Sequence, residues 1–155
     1  MPISPQDVKK LRLETGAGVM DCQKALTEAK GKYAKALEIV KAKGMARAEK
    51  KQTRETKIGY IVDYLHANNQ VASAVEVLCE TDFVARNSEF QTMAKDIAMQ
   101  VVAMNPKDVP ELLAQEFIKD PSLTVAELVK TISGKVGEKL VVNRFTRLKV
   151  GESTK

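Results

Sequence analysis

A chain of 155 residues, 44% of them apolar and with a formal charge of +5, can form one ordinary domain or a very small domain joined to a medium one. No apolar run approaches the roughly 20 residues that cross a bilayer. Met1-Pro2-Ile3-Ser4 has neither the charged region nor the apolar stretch of a signal peptide, so a cytoplasmic protein without a membrane partner is expected. Cys22 and Cys79 stand far apart without C-x-x-C spacing, which argues against a disulfide framework or zinc knuckle and predicts two free, buried thiols.

Residues 1–44 read as a three-helix domain. Ser4 can cap a first helix with Pro5 in its opening turn and Val8 and Leu11 on its apolar face, and the run breaks at Thr15-Gly16-Ala17-Gly18. A second stripe, Val19, Cys22, Leu26 and Ala29, stops at Gly31; a third, Tyr33, Ala36, Leu37 and Val40, is expected to stop at Gly44. About 40 residues have little apolar area to bury, so this unit should be only marginally stable alone. Residues 45–57 contain good helix formers without a sustained stripe and are predicted to be an exposed helical linker.

The linker is also where the charge sits. Residues 41–57 hold seven basic side chains (Lys41, Lys43, Arg47, Lys50, Lys51, Arg54 and Lys57) against Glu49 and Glu55, while the rest of the chain is balanced. A single basic connector on a neutral body is more often a solvated helix than a nucleic-acid stripe.

From residue 58 the period changes to two. Ile58, Tyr60, Val62 and Tyr64, then Val71, Ser73, Val75, Val77 and Cys79, predict two strands joined at Asn68-Asn69. Ser88-Glu89-Phe90-Gln91 fits a capping box for a long helix with the face Phe90, Met93, Ala94, Ile97, Val101 and Met104, ending before Pro106. Residues 105–123 are interrupted by prolines, with a short helix suggested by Leu112, Leu113, Phe117 and Ile118. Thr124-Val125-Ala126-Glu127 is a second capping box, Gly134 and Gly137 are expected breaks, and 140–150 should be a third strand. The predicted fold is α+β: three N-terminal helices, a linker, and over 58–155 a small three-stranded antiparallel sheet covered by helices.

Catalytic material is sparse. His66, the only histidine, has no H-x-E or H-E-x-x-H spacing, and a Cys79–His66 nucleophile pair across the hairpin would lack a third group and an oxyanion hole. Gly16-Ala17-Gly18 follows a helix and lacks the Gly-Lys-Ser/Thr ending of a phosphate loop, so a helix–helix turn is the simpler reading. Seven aromatics, none interleaved with the basic run, offer no stacking platform for nucleic acid. No enzyme activity, cofactor or metal is therefore expected. What stands out is Thr81-Asp82-Phe83-Val84, an acid and a large aromatic in a short connector at the sheet's rim. Spacing alone favours Phe83 folding back over the sheet end; the functional alternative is an anchor projecting into a partner's pocket.

Two segments carry a resemblance. Residues 11–26, LRLETGAGVMDCQKAL, are similar to the N-terminal signature of bacterial elongation factor Ts, commonly L-R-x-x-T-G-A-G-x-M-D-C-K-x-A-L. Residues 75–87, VEVLCETDFVARN, resemble its second signature, E-V-N-C-E-T-D-F-V-A-R-N. Departures are Val19 where methionine is common, Leu78 for asparagine, and Asn68-Asn69 where the hairpin usually has glycine. The resemblance implies an exchange factor for the GTPase elongation factor Tu, meeting it GDP-bound and nucleotide-free. It implies a ubiquitin-associated-like N-terminal unit contacting the GTP-binding domain through Arg12, Val19 and Met20. It further implies intrusion near the partner's magnesium and phosphate site by Thr81, Asp82, Phe83 and Val84, and a hairpin contact through His66. The chain looks like the short form of the family, with one core unit that can form a homodimer. The competing readings are a basic RNA-binding or ribosome-associated module acting through residues 41–57, which neutralising Lys50, Lys51 and Arg54 would abolish, a small hydrolase using Cys79, and a structural dimer with no partner.

Overall fold

The computed structural model describes residues 2–50 and 52–152; Lys51 of the basic run and positions 153–155 of the expected core lie outside the described residues. Helix α1 (Pro5–Thr15) begins at Ser4, whose side chain accepts the Gln6 N–H, and ends on Gly16 at φ 69°, a left-handed cap that favours glycine. Helix α2 (Val19–Glu28) and helix α3 (Tyr33–Lys50) complete a small cluster in which Val8, Leu11, Cys22, Leu26, Ala36 and Val40 are buried.

Two predicted stops are not stops. Helix α3 runs through Gly44 to Lys50, because one interior glycine costs only about 1 kcal/mol and strong helix formers follow it. The helical linker is thus helix only to Lys50, and residues 52–57 are irregular. Helix α7 (Val125–Val136) likewise runs through Gly134 and closes on Gly137 at φ 78°. The close approach requires glycine at Gly134 and not at Gly44: α3 packs on α7 there, and a Cβ added to Gly134 would lie 3.1 Å from the Gly44 carbonyl oxygen, whereas one added to Gly44 would meet nothing within 4 Å. A side chain at Gly134 would hold the helices apart.

The main sheet is three-stranded and antiparallel, in the order β1 (Ile58–Leu65), β2 (Val71–Cys79), β5 (Val141–Lys149). One face is covered by α5 (Ser88–Met104), against which α7 packs, burying Val75, Val77, Phe90, Ile97, Val129 and Val142 in the larger core. Helix α5 is capped by Asn87, which accepts the Glu89 and Phe90 N–H groups; the Ser88–Gln91 box does not form, because the helix starts at Ser88 itself. The Thr124–Glu127 box does form on α7.

After α5 the expected short helix forms as α6 (Val109–Ala114) with Leu112 and Leu113, but Phe117 and Ile118 are not on it: they belong to a small hairpin of β3 (Glu116–Phe117) and β4 (Asp120–Thr124) that the pattern did not suggest. Gln100, fully buried on α5, anchors it: its amide donates to the Glu116 carbonyl at 3.0 Å and accepts from the Ile118 N–H at 3.0 Å. A buried amide with its bonds made specifies this register.

Candidate functional site

Strand β2 ends at Cys79, and the chain turns at Glu80 into a single helical turn, α4 (Asp82–Ala85), rather than an irregular connector. Thr81 caps it, its hydroxyl accepting from the Val84 N–H at 3.4 Å. Successive helical residues point about 100° apart, so such a turn can hold two side chains in and two out. Val84 and Ala85 go in, joining the core; Asp82 and Phe83 go out. Phe83 is 85% exposed, which overturns the reading that it covers the sheet end. Val84, expected as a contact residue, is 7% exposed and supports the turn from beneath. Asp82 is ion-paired on the same short turn with Arg86 at 2.9 Å, both exposed.

The turn is tied to the loop before β5. Glu138 accepts the Glu80 and Thr81 N–H groups on one carboxylate oxygen, at 3.1 and 2.9 Å, and the Thr81 hydroxyl on the other at 2.6 Å. Glu80 returns the contact by accepting the Lys139 N–H at 2.7 Å, and the Arg54 guanidinium lies 3.5 Å from the same carboxylate.

The α1–α2 turn reaches the same end of the core. Gly16 lies against the Lys135 side chain, whose ammonium is 3.9 Å from Glu89 in the first turn of α5. On this unit Arg12, Val19 and Met20 are exposed, as is Leu13 at 77%. Leu13 was missed from sequence, although an apolar residue off the Val8–Leu11 stripe was the available signal. His66, also exposed, sits at the hairpin turn with its Nδ1 3.3 Å from the Tyr64 hydroxyl. Ile58 pairs with Cys79 and Leu65 with Ala72, so His66 and the 81–84 segment occupy opposite ends of the hairpin, about 25 Å apart at strand rise.

That separation removes the Cys79–His66 nucleophile pair. The Cys79 thiol is fully buried and donates to the Thr81 carbonyl, and burial, followed by the charge of Glu138, pushes its pKa up, the opposite of activation. Cys22 is also free and buried. Four side chains of the basic run are ion-paired: Lys43 with Glu28, Arg47 with Asp21, Arg54 with Glu80 and Lys57 with Glu55. Such surface pairs add little stability and offset the charge of these four side chains only locally. Among the described residues, no group of three or more His, Cys, Asp and Glu side chains is placed to hold a metal ion, and no helix is long and apolar enough to cross a membrane.

Comparison with known proteins agrees with the two signatures. The family model described as elongation factor TS matches residues 80–155. Elongation factor Ts of Fervidobacterium nodosum is 37% identical over 197 aligned positions, covering 98% of this chain and all of the relative. Those of Thermodesulfovibrio yellowstonii and Thermotoga neapolitana are 38% and 40% identical, each aligned over at least 98% of both chains. These alignments run over more positions than the 155 residues present, so the relatives are longer than this chain. With identity above a third sustained across essentially the whole of both chains, this protein belongs to the elongation factor Ts family.

Proposed function

We propose that this chain is a guanine-nucleotide exchange factor for the translational GTPase elongation factor Tu, promoting GDP release and so supporting translation elongation. The observation that carries the reading is Phe83: a large aromatic almost wholly in water, on a helical turn whose neighbours are buried and pinned. An isolated apolar side chain held rigidly outward is suited to fill a pocket in another molecule. Asp82 and Phe83 enter between partner helices near the magnesium and phosphate site. Arg12, Val19 and Met20, with Leu13, meet the GTP-binding domain, and His66 at the hairpin's far end reaches a second domain.

The mechanism is linkage. A factor that binds empty GTPase more tightly than GDP-bound GTPase weakens GDP binding by the same ratio. No bond of the factor is made or broken, so it needs neither catalytic residues nor a cofactor of its own. Each tenfold loss of GDP affinity requires about 1.4 kcal/mol of coupling. Burying one phenylalanine provides about 1.5–3 kcal/mol, so Phe83 accounts for one or two decades and the N-terminal contacts supply more. Release of fluorescent GDP from purified elongation factor Tu, with and without this chain, tests the proposal; an unaccelerated rate refutes it.

The protein also acts as a cytoplasmic homodimer, without direct nucleic-acid contact. Among the described residues, no layer covers the sheet face opposite α5, which carries exposed Ile61, Leu65 and Leu148 around the Glu76–Arg144 pair. Neighbouring opposite charges flanked by apolar groups suit the same face of a twofold-related copy. Ile61→Lys with Leu148→Glu should give a monomer in sedimentation; a dimer unchanged by both contradicts this surface.

A further inference from the structure

The β2–β5 ladder makes its last backbone pairing at Leu78 and Val141. Beyond it, among the described residues, the amides of Glu80 and Thr81 bond to a side chain and not to a backbone carbonyl. Glu138 takes both on one oxygen and the Thr81 hydroxyl on the other, while Glu80 takes the Lys139 amide in return. Side-chain carboxylates therefore continue the pairing for two residues after the backbone has stopped. The Thr81 hydroxyl that Glu138 grips is also the cap of α4, through the Val84 N–H. Glu138 is itself fixed by a bond from the Ser133 hydroxyl to its carbonyl and by the left-handed turn at Gly137.

Phe83 makes almost no packing contact of its own, so its direction in the free protein is set by the backbone of α4. We propose that Glu138 is a positioning residue for exchange: its carboxylate holds residues 80–81, and through Thr81 the first turn of α4, so that Phe83 meets the partner already oriented. A loosened turn must be ordered on binding, at the expense of the coupling that releases nucleotide. The inference rests on the reading of Phe83 as the intruding side chain.

The chain has no tryptophan, so Phe83→Trp provides a single reporter at the site. Glu138→Ala is expected to slow stimulated GDP release by roughly two- to tenfold, the cost of ordering one loosened side chain on binding and less than the loss of the ring itself. Placed in the Phe83→Trp background, it should also lower the fluorescence anisotropy of the introduced indole in the free protein, while the far-UV circular dichroism stays native. Glu138→Gln keeps an oxygen for both amides and an NH2 group for the Thr81 hydroxyl, and should restore both readouts. Wild-type release from Glu138→Ala while Phe83→Ala is deficient overturns the positioning role and leaves the exchange reading standing; wild-type release from both overturns the exchange reading itself. Failure of Glu138→Gln to rescue likewise overturns the positioning role. If Glu138→Ala does not fold, Thr81→Val, which removes the hydroxyl that joins Glu138 to the cap of α4, is read in its place, and unchanged release and anisotropy overturn the proposal.

Discussion

Replacing Phe83 with alanine separates function from stability more cleanly than any other substitution in this fold. The side chain is 85% exposed, so only about 15% of the 1.5–3 kcal/mol available from full burial, roughly 0.2–0.5 kcal/mol, is at stake in the free protein. For a chain of 155 residues that lowers the melting temperature by no more than about 2 °C. The remaining 85%, about 1.3–2.6 kcal/mol, is gained only when the ring enters the partner. Stimulated GDP release should therefore fall by roughly ten- to eightyfold, at 1.36 kcal/mol per decade. Stopped-flow release of fluorescent GDP beside a thermal melt reads both quantities. A folded mutant whose exchange is within twofold of wild type would refute the assignment of Phe83.

Gly134→Leu should undock α3 from α7, since a Cβ there already lies 3.1–3.2 Å from the Gly44 backbone. Overpacking of this kind costs about 1–3 kcal/mol, visible as new protease cleavage near residues 52–57 together with weaker exchange. Gly44→Ala is the control: its Cβ meets nothing within 4 Å, so about 0.5–1 kcal/mol of helix preference should raise the melting temperature instead. The Tyr33 hydroxyl, pushed up to about 12 by burial and then by its 2.6 Å bond to Glu14, predicts a pH window. With the folded pKa above the unfolded value, its contribution is complete below about pH 10 and lost as pH rises toward 12. The stability gap between wild type and Tyr33→Phe should thus be flat below about pH 10 and close above it in urea titrations; a gap that widens there contradicts the sign.

Much of the fold was legible because local and long-range signals agreed. The Val8–Leu11, Val19–Leu26 and Phe90–Val101 stripes, the period of two in β1 and β2, and the Thr124–Glu127 box each name an element by one mechanism. What failed depended on partners distant in sequence. Gly44 and Gly134 look like terminators in isolation and become a helix crossing only when α3 and α7 meet. The β3–β4 hairpin is held by Gln100, whose polar side chain gives no strand signal of its own. The candidate site was found by its composition, but its geometry was not. Period alone put Phe83 over the sheet end, whereas Thr81 starts a helical turn that sends Val84 inward and the ring outward. Glu138 escaped notice because its role lies 57 residues from Thr81 in sequence.

Titrating this chain against elongation factor Tu in its nucleotide-free and GDP-bound states, by calorimetry under one buffer condition, compares the two affinities on which exchange depends. The empty GTPase should bind more tightly by at least about tenfold, with Phe83→Ala narrowing the ratio; equal affinities for the two states would leave the exposed turn without a means of releasing nucleotide.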